Sequence, residues 1–274
     1  MITISDPYFS PEQICESGQC FRMNRIGEGR YALAACGSYL EIEDRGGEIA
    51  FYCTQEEYDR IWRRYFDMES DYGRYHAAVA QEDEYLCRAA AYGKGIRILN
   101  QELWEMLISF LISQQNNIKR IRKCIETICE RYGKRCVFDG GINGETVYYA
   151  FPDIQALSQV SEADLRGCGL GYRSRYIAGT VRSALTKEVN FDAIPGMPYG
   201  QAKQELLKCS GVGEKVADCI CLFGLHHLDA FPVDTHIRRA VEEHYPHGFP
   251  FEKYGGFAGV MQQYIFYYDL KKGK

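Results

Sequence analysis

The sequence predicts an α+β protein. A small antiparallel β-sheet domain bearing helices is expected over residues 1–95, and an all-helical domain over 96–274. Three observations carry this expectation. Short β-prone runs separated by glycine turns fill the chain before residue 55. From Glu102 onward apolar residues recur at helical spacing. At about 203–224 two helical runs flank the tight turn Gly211-Val212-Gly213.

Taken in order, the β-prone runs are Cys20–Arg25, Arg30–Ala35, Tyr39–Glu43 and Glu48–Cys53. The turns between them are Gly27-Glu28-Gly29, Gly37 and Gly46-Gly47, and connections this short pair strands antiparallel. Glu56–Phe66 and Glu82–Tyr92 read as helices, and Tyr92-Gly93-Lys94-Gly95 as the domain boundary. Glu102–Gln115 carries a broad apolar face of Leu103, Met106, Leu107, Phe110 and Leu111. Ile118–Tyr132 follows, then a Gly and Asn loop at 140–144. Further helices are expected at Asp153–Leu157, Glu162–Cys168, Arg173–Lys187, Tyr199–Leu207, from Glu214, at Ile237–Tyr245 and at Phe251–Asp269.

Composition is that of an ordinary globular chain, with 46% apolar and 25% charged residues. The formal net charge of −5 argues against a uniformly basic, nucleic-acid-coating surface. Charge is segregated, however. Ser113–Arg135 holds seven Lys/Arg against two Glu, and Leu165–Lys187 holds five Lys/Arg and no acid, so one basic groove is expected. The opening residues lack a basic-then-apolar leader and no apolar run is long enough to span a membrane, so a cytoplasmic protein with its twelve cysteines reduced is expected. No C-x-x-C pair occurs; Cys219 and Cys221 face different sides of a helix.

The chemistry concentrates in Leu206–His236. Gly211 and Gly213 are expected to supply φ > 0 and to let another molecule approach the backbone. The helix that starts at Glu214 then aims free amides outward, an arrangement suited to phosphate. Lys215 lies in its first turn, where the macrodipole disfavours a cation and so favours the neutral amine a nucleophile needs. Asp234 precedes the helix at Ile237–Tyr245 and suits an N-cap. A carboxylate fixed there can stabilise an oxocarbenium-like sugar cation.

The combination GVG-x-K-V-A-D (Gly211–Asp218) with P-V-D-T-H (Pro232–His236) resembles the helix-hairpin-helix DNA glycosylases with a Gly/Pro…Asp loop. More narrowly, most of the chain is similar to the 8-oxoguanine DNA glycosylases. The resemblance implies Lys215 as Schiff-base nucleophile and Asp234 as catalytic carboxylate. Ser17–Arg22 is similar to the loop whose glycine carbonyl, here Gly18, accepts from the N7–H found only on the oxidised base. Ala258–Phe266 resembles the helix closing the base pocket. Gln262 would read the Watson–Crick edge, Phe266 would stack on the base, and Cys219 would pack on its other face.

Ser113–Arg120 resembles the segment that fills the gap left by a flipped base. It brings Gln115 and Asn116 to the DNA, and departs from the family in having Gln115 where asparagine is usual. Arg120 and Arg173 match residues that bond the orphaned cytosine, Tyr172 a wedge, His236 a phosphate contact, and Gly211 and Gly213 the hairpin's contact with DNA. The resemblance implies a bifunctional enzyme that excises 8-oxoguanine from double-stranded DNA, opposite cytosine, and cleaves the abasic strand by β-elimination. It implies a cytoplasmic, nucleoid-associated monomer with no membrane role. No redox cofactor is required, and with no cysteine after Cys221 an iron–sulfur cluster is excluded. Backbone carbonyls of Leu207, Cys209 and Val212 would hold a monovalent or divalent cation. The alternatives are a sister glycosylase for alkylated or other oxidised bases, which would share Lys215 and Asp234, and a non-enzymatic DNA-binding module, which would need neither.

Overall fold

The computed structural model describes residues 1–142 and 144–272; within the loop expected at 140–144, Asn143 lies outside the described residues. Five antiparallel strands form one sheet in the order β1-β5-β4-β3-β2: β1 (Ile2–Ile4), β2 (Met23–Gly27), β3 (Arg30–Ala35), β4 (Ser38–Asp44) and β5 (Ile49–Phe51). Leu33 faces Leu40, and Ile42 faces Phe51. One face of this period-two pattern buries Tyr31, Leu33, Leu40, Ile42 and Phe51 against Ile14 of α1 (Pro11–Glu16) and against Trp62, Tyr65 and Phe66. Trp62 ends a π-turn at Tyr58–Trp62 that joins α2 (Gln55–Glu57) to α3 (Arg63–Tyr65); Tyr65 belongs to α3 and Phe66 caps it. The expected helix at Glu56–Phe66 is therefore three short pieces.

The helices after the sheet share a second core. They are α4 (Tyr72–Ala77), α5 (Glu84–Tyr92), α6 (Leu103–Ser113), α7 (Ile118–Tyr132), α8 (Ile154–Ser158), α9 (Glu162–Leu165), α10 (Arg173–Leu185), α11 (Tyr199–Leu206), α12 (Glu214–Gly224), α13 (Thr235–His244) and α14 (Ala258–Lys272). α6 is apolar almost all round (LWEMLISFLIS), and such a helix must be central. It packs against α12 and α7, and Phe110 stacks on Phe223 at 5.8 Å. Tyr72, Tyr85, Leu86, Ala89 and Ala90 belong to this core, with α5 lying on α14. The packing thus divides nearer residue 70 than residue 95.

Two expectations are corrected. Residues 96–274 are not wholly helical: β6 (Arg135–Gly141) and β7 (Gly144–Tyr149) form a hairpin, with Val137 opposite Val147. The hairpin docks on the sheet. Glu41 points from the face opposite Leu40 and Ile42, and its carboxylate accepts from Ile142 N at 2.7 Å. Tyr148 donates to the Gly37 carbonyl at 2.9 Å. Nor is Phe251–Asp269 one helix. Gly256 takes φ +83°, which ends a 3₁₀ turn at Phe251–Lys253 before α14 begins.

Two buried arginines join the sheet to the helices. Arg97 reaches the carbonyls of Phe66 (3.0 Å), Asp67 (2.7 Å) and Ser70 (3.0 Å), and the Asp6 carboxylate at 2.9 Å. Arg22 bonds Glu126 of α7 at 3.2 Å and the Tyr149 carbonyl at 2.5 Å, and lies 3.9 Å from Glu105 of α6.

Candidate active site

The hairpin between α11 and α12 is set by one glycine and one buried carboxylate. Gly211 has φ +80°, and a Cβ on it would lie 2.4 Å from Cγ of Tyr176, so both conformation and contact demand glycine. Gly213 differs from expectation. Its φ is −102°, ordinary extended backbone, and nothing lies near where a Cβ would stand. What it offers is an N-cap of α12 with no side chain in front of the first amides. Asp218, three residues beyond Lys215, accepts from Tyr199 at 2.6 Å and pairs with Lys203 at 2.9 Å, locking α12 to α11.

Lys215 is half-buried, with Nζ 5.6 Å from the Phe110 ring centre. One turn on, Cys219 is buried, which pushes its thiol up, while the Lys215 amine lying against it pulls the other way. Asp234 caps α13, its carboxylate accepting from Ile237 N at 2.9 Å. Lys215 and Asp234 both line a recess of about 60 Å³, whose walls also include Gly18, Cys219, Gln262 and Phe266. Six residues, the first and last of them 248 apart in the numbering, therefore meet at one place.

Gln262 is buried in the recess wall. Its Nε2 donates to the Pro232 carbonyl at 3.1 Å, and its Oε1 has no partner among the described residues. A buried carbonyl without a donor is costly, so a donor brought in by a ligand is stabilised there. Phe266 leans on Gly18: a Cβ on Gly18, whose φ is +76°, would stand 3.1 Å from Cε1 of Phe266. At about 60 Å³ the recess holds only a few waters, whereas ligand pockets run to about 300 Å³ or more.

The recess opens on a cleft of about 1240 Å³ lined by residues 113–119, 213–216 and 233–236, with Arg238, Phe266 and Leu270. Three helix N-termini end on it: α7 capped by Asn117, α12 at Gly213 and α13 capped by Asp234. Their dipoles make the cleft attractive to anions although the whole chain carries −5. Lys119 and Arg238 add charge on its walls; Lys119 lies within the Ser113–Arg120 segment and Arg238 just after Pro232–His236, yet neither is among the expected contacts.

The loop from Gln114 to Asn117 forms one lip. Gln115 is exposed at its tip with φ +47°, and Asn116 donates to the Ile112 carbonyl at 3.1 Å. Gln114 donates to the Gly211 carbonyl at 3.0 Å, tying this lip to the hairpin. Arg173 is turned inward. It is 4% exposed, and its guanidinium is committed to the carbonyls of Gln114 (2.8 Å) and Gln115 (2.9 Å). It builds the lip from behind. Arg120 is exposed and donates to the Gly169 carbonyl at 3.1 Å. Tyr172 is 42% exposed and meets Tyr176 edge-on. His236 stands 6.0 Å from Phe266 and 4.0 Å from Asp269. In the turn expected to hold a cation with Leu207 and Val212, the Cys209 carbonyl already accepts from Val212 N at 3.1 Å, leaving one lone pair for an outside ligand.

A helix-hairpin-helix that presents a lysine and a capping aspartate to a shared recess defines the class of helix-hairpin-helix DNA repair proteins. Residues 1–107 match the family described as 8-oxoguanine DNA glycosylase, N-terminal domain, and residues 108–249 match HhH-GPD superfamily base excision DNA repair protein. The chain belongs to the HhH-GPD superfamily of base excision DNA repair proteins, with the N-terminal domain of the 8-oxoguanine DNA glycosylases.

Relatives agree with this placement. A Methanothermobacter thermautotrophicus probable N-glycosylase/DNA lyase is 33% identical over 248 residues, 80% of this chain and 76% of that protein. A Saccharomyces cerevisiae N-glycosylase/DNA lyase is 37% identical over 163 residues, 56% of this chain but only 42% of that protein. The Clostridium acetobutylicum 8-oxoguanine glycosylase/lyase, solved with double-stranded DNA containing cytosine opposite 8-oxoG, superposes with a TM-score of 0.90 at 33% identity. That match covers 100% of this chain and 99% of that one. Among the described residues no helix is long and apolar enough to cross a membrane.

Proposed function

We propose that this protein excises 8-oxoguanine from double-stranded DNA, opposite cytosine, and then cleaves the abasic strand. The observation that carries the reading is the meeting of Lys215 and Asp234 with Gln262 Oε1, unpartnered among the described residues, in one recess. The Lys215 amine attacks C1′ of the extruded nucleotide. The bond from C1′ to the base breaks, and its electron pair leaves with the base, which takes up a proton. Asp234 offsets the positive charge that develops on the sugar. The attached nitrogen loses a proton and its lone pair opens the C1′–O4′ bond, O4′ taking up a proton; the iminium so formed acidifies the 2′ hydrogen, and loss of that proton expels the 3′ phosphate and cuts the strand.

The base would lie between Phe266 and Cys219, its Watson–Crick edge on Gln262 and its N7–H on the Gly18 carbonyl. Gln115 and Asn116 would occupy the vacated stack, with Tyr172 beside the kink, offsetting an unstacking cost of a few kcal/mol. Arg120, His236 and the amides at Gly211–Gly213 would contact the DNA. A cation on the Leu207, Cys209 and Val212 carbonyls would add charge where the hairpin meets a phosphate. The protein would act in the cytoplasm as a monomer, on the nucleoid.

Borohydride trapping on duplex DNA with one 8-oxoguanine opposite cytosine tests the reading. A covalent adduct is expected with the wild type and none with Lys215→Gln, which should still bind the duplex. Trapping by Lys215→Gln would overturn the assignment, and base release without any adduct would replace lysine by water as the nucleophile.

A further inference from the structure

Gln263, the neighbour of Gln262 on α14, has no part in the chemistry above. It is 2% exposed, and its Nε2 donates to the Ser17 carbonyl at 2.6 Å. Ser17 is itself fully buried and directly precedes Gly18. The same short segment is held from the other side by Gln19, fully buried, whose Nε2 donates to Ser17 Oγ at 2.9 Å and whose Oε1 accepts from Leu99 N at 2.8 Å. Gly18 between them has φ +76°, a conformation that lets the peptide pivot unless its flanks are fixed. No donor among the described residues reaches the Gly18 carbonyl. Successive helix residues project about 100° apart. One rigid turn of α14 thus brings both glutamines to the recess wall, Gln262 with its Oε1 free and Gln263 with its amide spent on the backbone that precedes Gly18.

We propose that Gln263 is a specificity-determining positioning residue: it fixes the Gly18 carbonyl relative to Gln262, so that the recess measures the distance between the two edges of the lesion base. The inference rests on the base-pocket reading given above. A single acceptor separates an N7–H from the lone pair of undamaged guanine only if its direction is fixed, because a freely pivoting carbonyl can turn away from the lone pair it should reject. Gln263 supplies that fixity from the helix that also carries the stacking ring of Phe266.

The test compares two substrates with the full chain. Gln263→Met keeps the side chain's length and removes its donor. Single-turnover excision of 8-oxoguanine should slow by about tenfold, the worth of one buried hydrogen bond. Strand cleavage at a preformed abasic site, which needs Lys215 but reads no base, should stay within about twofold of wild type, the spread expected of an uninvolved contact. A parallel fall in both rates, or no fall in either, overturns the proposal while leaving the glycosylase reading intact. A wild type inactive on both substrates removes that reading, and this inference with it.

Gln263→Glu is the second variant, since it keeps the shape but turns an acceptor toward the Ser17 carbonyl. Its duplex affinity should be reduced for 8-oxoguanine and equal to wild type for an analogue with carbon at ring position 7. An equal loss on both duplexes overturns the proposal.

Discussion

At the scale of single residues, the proposed reading of the base rests on Gln262. Its Nε2 is held by Pro232 and its Oε1 faces inward unpartnered, so its orientation is fixed before any base arrives. Gln262→Met should slow 8-oxoguanine excision by about ten- to a hundredfold, one or two hydrogen bonds' worth, with little change in affinity for undamaged duplex. Titration of binding beside single-turnover excision checks this; equal losses would place Gln262 outside the pocket's reading role. Glu105 matters differently. Burial pushes its carboxyl from about 4.5 up to about 7, against the opposing pull of Arg22 and reinforced by Glu102 and Glu126. A raised carboxyl is a cost that is absent below about 4.5, where folded and unfolded chains are both protonated, and complete above about 7. Glu105→Gln should therefore gain stability relative to wild type as pH rises across that window, whatever the offset from leaving Arg22 one partner fewer. Thermal melts at a series of pH values check it, and a pH-independent difference would show that Glu105 ionises normally.

Among elements, the hairpin and the lip at Gln114–Asn117 act as one unit. Gln114 bonds Gly211, Arg173 holds the carbonyls of Gln114 and Gln115, and Tyr176 fills the space a side chain at Gly211 would need. Gly211→Ala should destabilise by about 2–4 kcal/mol, from the left-handed conformation and the clash together. Adding Tyr176→Ala should relieve the clash but not the conformational part, so denaturation of the double variant should show a partial recovery against the sum of the two single losses. Arg173→Met should leave two carbonyls unpaired, at about 1–3 kcal/mol each if water cannot replace it. Faster amide exchange confined to residues 114–117 is the expected sign, and unchanged exchange there would mean the lip holds its own shape.

For the whole molecule, the problem is how a chain of net charge −5 meets a polyanion. The answer is placement rather than total: three helix N-termini with Lys119 and Arg238 face one cleft, and acidic residues such as Glu82, Asp83 and Glu84 sit around a separate surface pocket. Phosphate contacts release counterions, so affinity should fall steeply as salt rises. A flat salt response would mean the cleft does not take the backbone. The same whole-chain folding joins Gly18 near one end to Phe266 near the other, and the two buried arginines, Arg22 and Arg97, keep the sheet and helices from separating under them.

By itself, the sequence determined the elements whose signals are local. Ile118–Tyr132 and Arg30–Ala35 stand where their periodicity puts them, because amphipathic spacing needs no distant partner to be read. Lys215 after the GVG turn and Asp234 at its N-cap were legible for the same reason. The hairpin β6–β7 was missed because it is stabilised from outside, by Glu41 and Gly37 of a sheet a hundred residues away in the chain. Only the tertiary structure could turn Arg173 inward, free Gly213 of any conformational demand, or assign Gln263 to Ser17. Each depends on which buried polar groups must satisfy one another, and that is decided by which segments the hydrophobic core brings together, not by the residues on either side of them in the chain.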